Sequence, residues 1–530
     1  MEDPKRLEEG RGDGTRLETG ANGHQLEQVG EDVNGERSYD NEQKLKTTLD
    51  LPEEQEAEQP LKHKTKRVAT LDAFRGLTIV LMILVDDAGE AYPRIDHSPW
   101  NGCTLADFVL PFFLFIVGVA IALALKRIPE VKFAVKKIIL RTLKLIFWGI
   151  LLQGGYSHAP YDLTYGVDMK KIRWCGILQR IALVYFVVAL IETMTSKVRP
   201  NSLKSGHFSI FAAYKWQWAG GLVAFVIYMI TTFSLYVPDW SFVASEEDGI
   251  AETYTVKCGM RGHLGPACNA VGYVDRQFWG INHLYTQPVW ARLRACTLSS
   301  PDSGTFRDDA PTWCRAPFEP EGILSSISAI VTGTIGIHYG HVLIHVKDHA
   351  ERLKQWLSMG ILLLIVACVL HFTDGIYSYT ILLSIYELEK FLKTNSLQTH
   401  FLAAIPINKQ LYSFSYVCFT AGAAGIVFSL LYIVIDVYGL RTPFLFLEWI
   451  GMNAMLVFVL AAQGIFAAFV NGWFFKNPDR NLVKWIRQHI FVDVWKSERV
   501  GTIMYVIFAE ITFWSVVSGI LHKQGIYWKL

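Results

Sequence analysis

Apolar residues are gathered into ten long runs that start at about residue 70 and are separated by short polar segments. A helix needs about 20 apolar residues to cross the roughly 30 Å hydrocarbon core of a bilayer. Most of the runs have this length, although the third and the seventh are shorter. The pattern predicts an all-α polytopic membrane protein of about ten transmembrane helices, near residues 70–89, 104–126, 135–153, 173–194, 217–237, 321–343, 356–372, 411–435, 444–470 and 500–521.

The first 66 residues differ from the rest, because they are rich in Glu, Gly, Lys, Asp and Gln and contain no apolar run. Such a segment cannot bury enough apolar surface to offset the entropy lost on ordering. We therefore predict a disordered tail over 1–66, without a cleavable signal peptide, and a transmembrane domain over 67–530.

Composition agrees with a membrane protein. The chain is 51% hydrophobic and 19% charged, whereas soluble domains carry about 25% charged residues. The formal net charge is +1, which gives no electrostatic reason to expect a nucleic-acid partner. Membrane lipid is the expected surrounding.

Lysine and arginine are concentrated in alternate loops: before the first run and after the second, fourth and sixth. Because cytoplasmic loops carry the excess of these residues, the pattern predicts that both termini are cytosolic. The basic loop at 471–499 does not fit this alternation.

The longest loop, at about 238–320, then falls on the lumenal side, where disulfides persist. It contains four candidate disulfide cysteines, with reduced thiols as the alternative: Cys258, Cys268, Cys296 and Cys314. The loop has no C-x-x-C pair, and we predict no metal site.

The stretch from 374 to 404 follows the seventh run and contains about 14 apolar residues before it turns polar. This is too short for a complete crossing. We interpret the stretch as an interfacial segment or an insertion.

Ionisable residues inside membrane helices are costly and mark functional sites by default. Asp72 and Arg75 lie three residues apart in the first run, Asp86 stands at its far end, and His97 follows in a short loop. A histidine beside a carboxylate can accept a proton near neutral pH. The structural alternatives are an Asp72–Arg75 ion pair and an ordinary interface histidine.

Asp107, at the start of the second run, has its own structural alternatives. It could cap a helix, or it could pair with Arg180 in the fourth run.

Several motifs occur in one order along 67–530 and together resemble the heparan-α-glucosaminide N-acetyltransferase family. They are Asp72-Ala-Phe-Arg75-Gly76, His97-Ser-Pro-Trp100-Asn101-Gly102, Leu-Ala-Asp107-Phe-Val-Leu-Pro111, Gly176-Ile-Leu-Gln-Arg180, Gly272-Tyr-Val-Asp275-Arg276, Pro320-Glu321-Gly322 and Ile405-Pro-Ile-Asn408-Lys409. The resemblance leads us to expect a homologue without the family's N-terminal lumenal domain.

The resemblance implies an acetyltransferase that uses cytosolic acetyl-CoA to acetylate a lumenal amine, such as a glucosamine-like sugar. His97 matches the catalytic histidine, and Asp86 stands where the family has an asparagine. We expect Asp86 to orient His97. The expected acetyl-CoA-binding residues are Arg75, Arg180 and Lys409, and the expected supporting residues are Asp72, Trp100, Asn101, Asp107 and Asn408.

The resemblance also suggests a lysosomal or vacuolar membrane, with other endomembranes or the plasma membrane as alternatives, and leaves a homodimer open. His97 could act as a general base or as a nucleophile that carries the acetyl group. A proton-coupled transporter is the rival interpretation, because it needs the same buried charges. We find no internal repeat of the kind that such carriers often have.

Overall fold

The apolar runs form long helices, as their length and composition predict. The computed structural model describes residues 68–89, 91–126, 130–154, 168–198, 208–245, 251–388, 405–462, 464–477 and 480–528. The predicted tail at 1–66 lies outside these residues. The first six helices are α1 (Ala69–Ala88), α2 (Val109–Leu125), α3 (Val131–Gly154), α4 (Ile177–Met194), α5 (Ser209–Ala213) and α6 (Lys215–Ser234).

The loop predicted at 238–320 has a fold of its own and corrects the prediction of a purely helical protein. Together with the two residues before it, the loop forms two antiparallel two-stranded sheets, one of β1 with β4 and one of β2 with β3. Cys258 is joined to Cys268, and Cys296 to Cys314, by disulfides. The elements are β1 (Tyr236–Val237), β2 (Trp240–Ser245), β3 (Ala251–Val256), β4 (Met260–Arg261) and α7 (Ala270–Trp279).

Three long helices follow this loop: α8 (Ile323–His345), α9 (His349–Leu388) and α10 (Phe414–Tyr432). The stretch that we interpreted as an interfacial segment or an insertion begins inside α9, because this helix continues without a break to Leu388. Residues 389–404 lie outside the described part of the chain.

The last part of the chain is more broken, with π-helical turns at 433–437, 458–462, 487–492 and 506–511. Its helices are α11 (Leu445–Met452), α12 (Ala454–Val457), α13 (Ile465–Asn471), α14 (Leu482–Ile486), α15 (Asp493–Trp495), α16 (Glu498–Tyr505) and α17 (Thr512–Lys523).

Each predicted run overlaps helix, although the run at 444–470 is divided among α11, α12 and α13, and the count of ten spans is not confirmed. Within the described residues, seven helices are long and apolar enough to cross a membrane, and a pair bent by 71°, Thr442–Met452 with Ala454–Ala461, could be an eighth. Helices α1 and α3 are long enough but carry several charged residues each, and those of α1 include Asp72, Arg75 and Asp86.

Helix α8 lies at the centre of the bundle, because 83% of its most apolar 18-residue stretch is buried. Glycines let it approach α2 closely: a Cβ on Gly336 would lie 2.2 Å from the carbonyl oxygen of Phe115, and one on Gly118 would lie 2.3 Å from that of Gly333. Small residues at such crossings let helix backbones touch, which is how helices associate in membranes.

Helix α1 packs against α11 in the same way. A Cβ on Gly76 would lie 1.9 Å from the carbonyl oxygen of Leu447, and one on Gly451 would lie 1.9 Å from that of Asp72. This crossing fixes the end of α1 that carries Asp72 and Arg75.

Candidate active site

The carboxylate of Asp107 connects the loop that carries His97 to the start of α2 through hydrogen bonds. Asp107 Oδ2 accepts hydrogen bonds from the backbone N–H of Ser98 (3.2 Å) and from the N–H and hydroxyl of Thr104 (both 3.0 Å). Thr104 and Asp107 form a capping box at this helix start, where backbone N–H groups would otherwise be unpaired. Asp107 is therefore the acidic member of this capping box, in agreement with the capping alternative.

The other oxygen of Asp107 contacts the catalytic candidate. His97 Nδ1 lies 2.8 Å from Asp107 Oδ1, and the Asp107 side chain is fully buried whereas that of His97 is one-third exposed. An ionised carboxylate can only accept hydrogen bonds. Nδ1 therefore carries the hydrogen, and the lone pair of a neutral His97 lies on Nε2.

Lys409 completes the cluster from the segment between α9 and α10. Its Nζ lies 3.0 Å from each ring nitrogen of His97 and 4.0 Å from Asp107 Oδ1. Burial lowers the pKa of His97 below its ordinary value of 6.5, and the positive charge of Lys409 lowers it further, while Asp107 acts in the opposite direction. His97 is thereby kept in the neutral form that can accept a proton.

The expected pairing of His97 with Asp86 is wrong in this structure. Asp86 lies on the same cavity as His97, but within the described residues the hydrogen-bonded carboxylate is that of Asp107. The physical reason is that the loop folds back onto the start of α2, which places the capping carboxylate under the imidazole.

The alternative pair of Asp107 with Arg180 does not form. Arg180 donates to the hydroxyls of Ser325 (2.5 Å) and Ser326 (3.1 Å) and to the carbonyl of Pro320 (2.6 Å). It thus secures the start of α8.

The remaining predicted supports hold the His97 loop against its surroundings. Asn408 Nδ2 donates to Asn101 Oδ1 at 3.2 Å, and the N–H of Gly102 donates to the carbonyl of residue 407 at 2.8 Å. Gly102 has φ of +109°, a conformation that suits glycine.

Trp100 connects the His97 loop to the disulfide-containing loop. Its ring N–H donates to the carbonyl of Leu264 at 3.2 Å, and its ring packs edge-on against those of Trp290 and Phe318.

Arg292 is a site residue that sequence reasoning missed. It donates to the carbonyl oxygen of His97 and forms an ion pair with Asp96. No local signal marks it, because it lies in a loop 195 positions away from His97. Glu321 was quoted only as part of a motif, yet it lines the same cavity as His97.

A cavity of about 710 Å³ runs beside α1 and connects its two charged ends. Asp72 and Arg75 line one end, and Asp86, His97 and Lys409 line the other. Asp72 and Asp86 are fourteen helical positions apart, which corresponds to about 21 Å at 1.5 Å per residue. Between the ends the walls are mostly apolar.

Arg75 donates to Asp72 Oδ1 and to the carbonyl of Gly451, both at 3.1 Å. The ion pair that we held as the structural alternative is therefore present, and Arg75 also lines the cavity. In the described part of the chain, no group of three or more His, Cys, Asp or Glu residues is placed to hold a metal ion.

Comparison with known proteins points to one family. The catalytic-domain profile of heparan-alpha-glucosaminide N-acetyltransferase matches residues 67–241. The mouse and human proteins of that name are each 30% identical to this chain over 484 residues, which is 88% of this chain and 60% of theirs. The chain thus spans about 60% of the length of these relatives. On these matches, residues 67–241 are similar to the catalytic domain of heparan-alpha-glucosaminide N-acetyltransferase, and most of the chain is similar to the mouse and human proteins of that name.

Proposed function

We propose that this protein is a transmembrane acetyltransferase that moves an acetyl group from acetyl-CoA to an amine. The observation that carries the proposal is the cavity that joins Arg75 at one end of α1 to His97, Asp107 and Lys409 at the other. The relatives are named for N-acetylation of a glucosaminide, which supports an amino sugar as the acceptor.

The two ends of the cavity suit the two ends of acetyl-CoA. The phosphates need a cation, and the planar guanidinium of Arg75 is suited to bind them. The acyl-bearing arm is long and uncharged, so it fits the apolar middle. Its thioester would then lie near His97. Arg180, which we expected to bind acetyl-CoA, contacts Pro320, Ser325 and Ser326.

The proposed chemistry uses His97 as a general base. The acceptor nitrogen attacks the thioester carbonyl carbon while its proton passes to Nε2 of His97. The carbon–sulfur bond then breaks, and the protonated His97 returns the proton to the departing thiolate. Asp107 stabilises the imidazolium, and the ammonium of Lys409 stabilises negative charge that develops on the carbonyl oxygen.

The proposed sidedness is supported by the loop charges. The Arg75 end of α1 follows a basic segment and would be cytosolic, and the His97 end, beside the disulfide-bonded loop, would be lumenal. The acetyl group would then be drawn from cytosolic acetyl-CoA and delivered across the membrane. A lysosomal or vacuolar membrane fits this arrangement.

Two substitutions in the purified full-length protein test the proposal. His97→Ala should lower turnover of acetyl-CoA with glucosamine by at least about 10²-fold while acetyl-CoA binding is retained. Arg75→Ala should raise the KM for acetyl-CoA by about tenfold or more and leave the KM for the amine unchanged. The readouts are release of free thiol, formation of the N-acetyl product and acetyl-CoA binding.

Two results would contradict the proposal. One is turnover in His97→Ala within a few-fold of the unsubstituted protein at equal folded concentration. The other is amine uptake by proteoliposomes without any thiol release, which would identify a transporter.

A further inference from the structure

One basic segment of the chain does not fit the predicted alternation of loop charge and takes no part in the proposed chemistry. It comprises residues 471–499, from the end of α13 to the start of α16. The segment contains six Lys or Arg residues and three Asp or Glu residues, so it carries a net positive charge. An excess of cations at this place needs a physical reason of its own.

The basic segment lies at the His97 end of the bundle. Arg499 Nε donates to the carbonyl oxygen of Ala91 at 2.8 Å, and the Arg499 guanidinium lies 4.9 Å from the centre of the Tyr92 ring. Ala91 and Tyr92 follow the end of α1 and begin the loop that carries His97. The candidate span Glu498–Lys523 starts at the same point. A boundary of the membrane-spanning region therefore passes beside the basic segment.

The basic segment exposes large aromatic side chains at this boundary. Five of them are at least half exposed: Trp473, Phe474, Phe475, Trp485 and Trp495. Contiguous exposed apolar surface marks a site of interaction. At the end of a membrane span, the apolar phase that adjoins such a surface is the acyl-chain region, and aromatic rings are enriched at this depth.

A short hairpin holds aromatic rings and cations side by side. Phe474 pairs with Asn481 through a β-bridge, and the N–H of Phe475 donates to the carbonyl oxygen of Arg480 at 3.1 Å. Lys476 Nζ lies 5.3 Å from the centre of the Phe475 ring. Backbone groups near hydrocarbon need partners within the protein, and these hydrogen bonds supply some of them.

Nearby carboxylates of the basic segment have partners other than the hairpin cations. Glu498 forms an ion pair with Arg487 at 3.0 Å, and Asp493 accepts a hydrogen bond from Gln488 at 2.9 Å. Lys476 and Arg480 are exposed and form no ion pair within the described residues. Lys and Arg beside a membrane attract anionic headgroups. The aromatic rings hold these two cations at the depth of such headgroups.

We propose that the basic segment binds anionic phospholipids in the leaflet at the His97 end. The exposed aromatic side chains enter the edge of the acyl-chain region, and Lys476 and Arg480 contact the phosphates. The excess of cations then matches the charge of the adjoining leaflet. Because Arg499 contacts Ala91 and Tyr92, the bound lipid lies next to the loop of His97. This binding does not depend on the proposed acetyl transfer.

Two matched double variants of the full-length protein test the role of the cations. Lys476→Gln with Arg480→Gln should weaken phosphatidylglycerol binding by about tenfold or more and leave phosphatidylcholine binding within about twofold. The control is Lys257→Gln with Arg294→Gln, which removes one exposed lysine and one exposed arginine from the disulfide-containing loop. It should change neither affinity. Both affinities are measured by native mass spectrometry of detergent-solubilised protein titrated with each lipid.

Two further measurements separate lipid contact from loss of fold. Lys476→Arg with Arg480→Lys keeps both charges and should keep the affinity for phosphatidylglycerol within about twofold of the unsubstituted value. Trp473→Phe removes one fluorophore and keeps an aromatic ring. In vesicles that contain brominated phosphatidylglycerol, we expect the fluorescence removed by Trp473→Phe to belong to the fraction that the bromine atoms quench.

Three results would overturn the proposal. The first is equal affinity of the unsubstituted protein for phosphatidylglycerol and phosphatidylcholine, or an unchanged phosphatidylglycerol affinity in Lys476→Gln with Arg480→Gln. The second is displacement of the lipid by inorganic phosphate at equal concentration, which would identify an ion site. The third is a dimer in phosphatidylcholine vesicles that Trp473→Ala with Phe475→Ala abolishes, because a second copy of the chain would then cover the aromatic surface.

Discussion

A histidine accepts a proton only through a ring nitrogen that has a free lone pair, and Asp107 decides which nitrogen that is. Because Asp107 Oδ1 lies 2.8 Å from Nδ1, the lone pair of neutral His97 lies on Nε2, which is 3.0 Å from Lys409 Nζ and is the proposed base. The same carboxylate holds Ser98 and Thr104. One buried side chain therefore fixes both the loop and the tautomer.

Asp107→Asn should therefore lower kcat by on the order of 10²- to 10⁴-fold, because an amide cannot stabilise the imidazolium and can favour the wrong tautomer. The matched control is Asp86→Asn, which also changes a carboxylate near the His97 end of the cavity. This substitution should keep kcat within a few-fold of the unsubstituted value. Turnover is measured at equal concentrations of folded protein. A larger loss in Asp86→Asn than in Asp107→Asn would restore Asp86 as the partner of His97.

Lys409 sets the pH range of the proposed base. Burial and the charge of Lys409 lower the pKa of His97, so neutral His97 persists below pH 6.5 and the acid limb of kcat/KM should lie below that value. Lys409→Gln removes the nearby positive charge. The protonated form of His97 is then less disfavoured, its pKa rises, and the acid limb should move to higher pH.

The measurement is a kcat/KM profile between about pH 4 and pH 8, with Lys215→Gln at the start of α6 as the control. An acid limb that stays in place or moves to lower pH in Lys409→Gln would show that Lys409 does not act on the base.

At the scale of elements, glycines on α1, α2, α8 and α11 bring helix backbones into contact. Because α1 carries residues at both ends of the cavity, its crossing with α11 aligns Arg75 with one end and Asp86 with the other. The α2–α8 crossing supports the His97 end, since α2 begins just after Asp107. Packing of helices thus positions groups that are far apart in sequence.

Gly336→Ala tests the α2–α8 crossing. The added Cβ would lie 2.2 Å from the backbone oxygen of Phe115, so the helices must separate. We expect a net loss of about 1–3 kcal/mol from overpacking, even though alanine favours helix by about 1 kcal/mol over glycine. The control is Gly360→Ala in α9, whose Cβ would lie 3.2 Å from its nearest neighbours.

The measurement is thermal unfolding of detergent-solubilised protein. Gly336→Ala should lower the melting temperature by several degrees more than Gly360→Ala. Equal melting temperatures would mean that α2 and α8 are less closely packed than described.

At the scale of the whole molecule, the cavity beside α1 joins the end lined by Asp72 and Arg75 to the end lined by His97. The disulfide-bonded loop packs against the His97 end. The loop at 238–320 contributes Arg292 to the His97 loop and rings that pack on Trp100. If this end is lumenal, the two disulfides lie where they are stable.

Introduced glycosylation acceptors test this topology in eukaryotic cells. Ser303→Asn places an acceptor before Gly304 and Thr305 in an exposed part of the loop, and we expect it to be glycosylated because we predict that the loop is lumenal. Leu203→Thr completes an acceptor with Asn201 in a loop that we predict to be cytosolic, and we expect no glycan there. The readout is a gel shift reversed by a glycosidase. The opposite result would invert the topology.

The sequence by itself determined the helical character of the chain, because run length, helical spacing and loop charge are local properties. The broken helices after α10 were not foreseen. The motifs also identified His97, Asp107, Asn408 and Lys409 as candidates. Their grouping could not be predicted, since Lys409 lies 312 positions from His97.

Only the tertiary structure decided which carboxylate contacts His97. The sequence favoured Asp86, at the end of the preceding helix, but contact depends on how the loop folds back. That path is fixed by the capping bonds of Asp107 and by long-range contacts of Trp100, Asn101 and Arg292. These long-range contacts join residues 164, 195 and 307 positions apart, and local patterns carry no information about them.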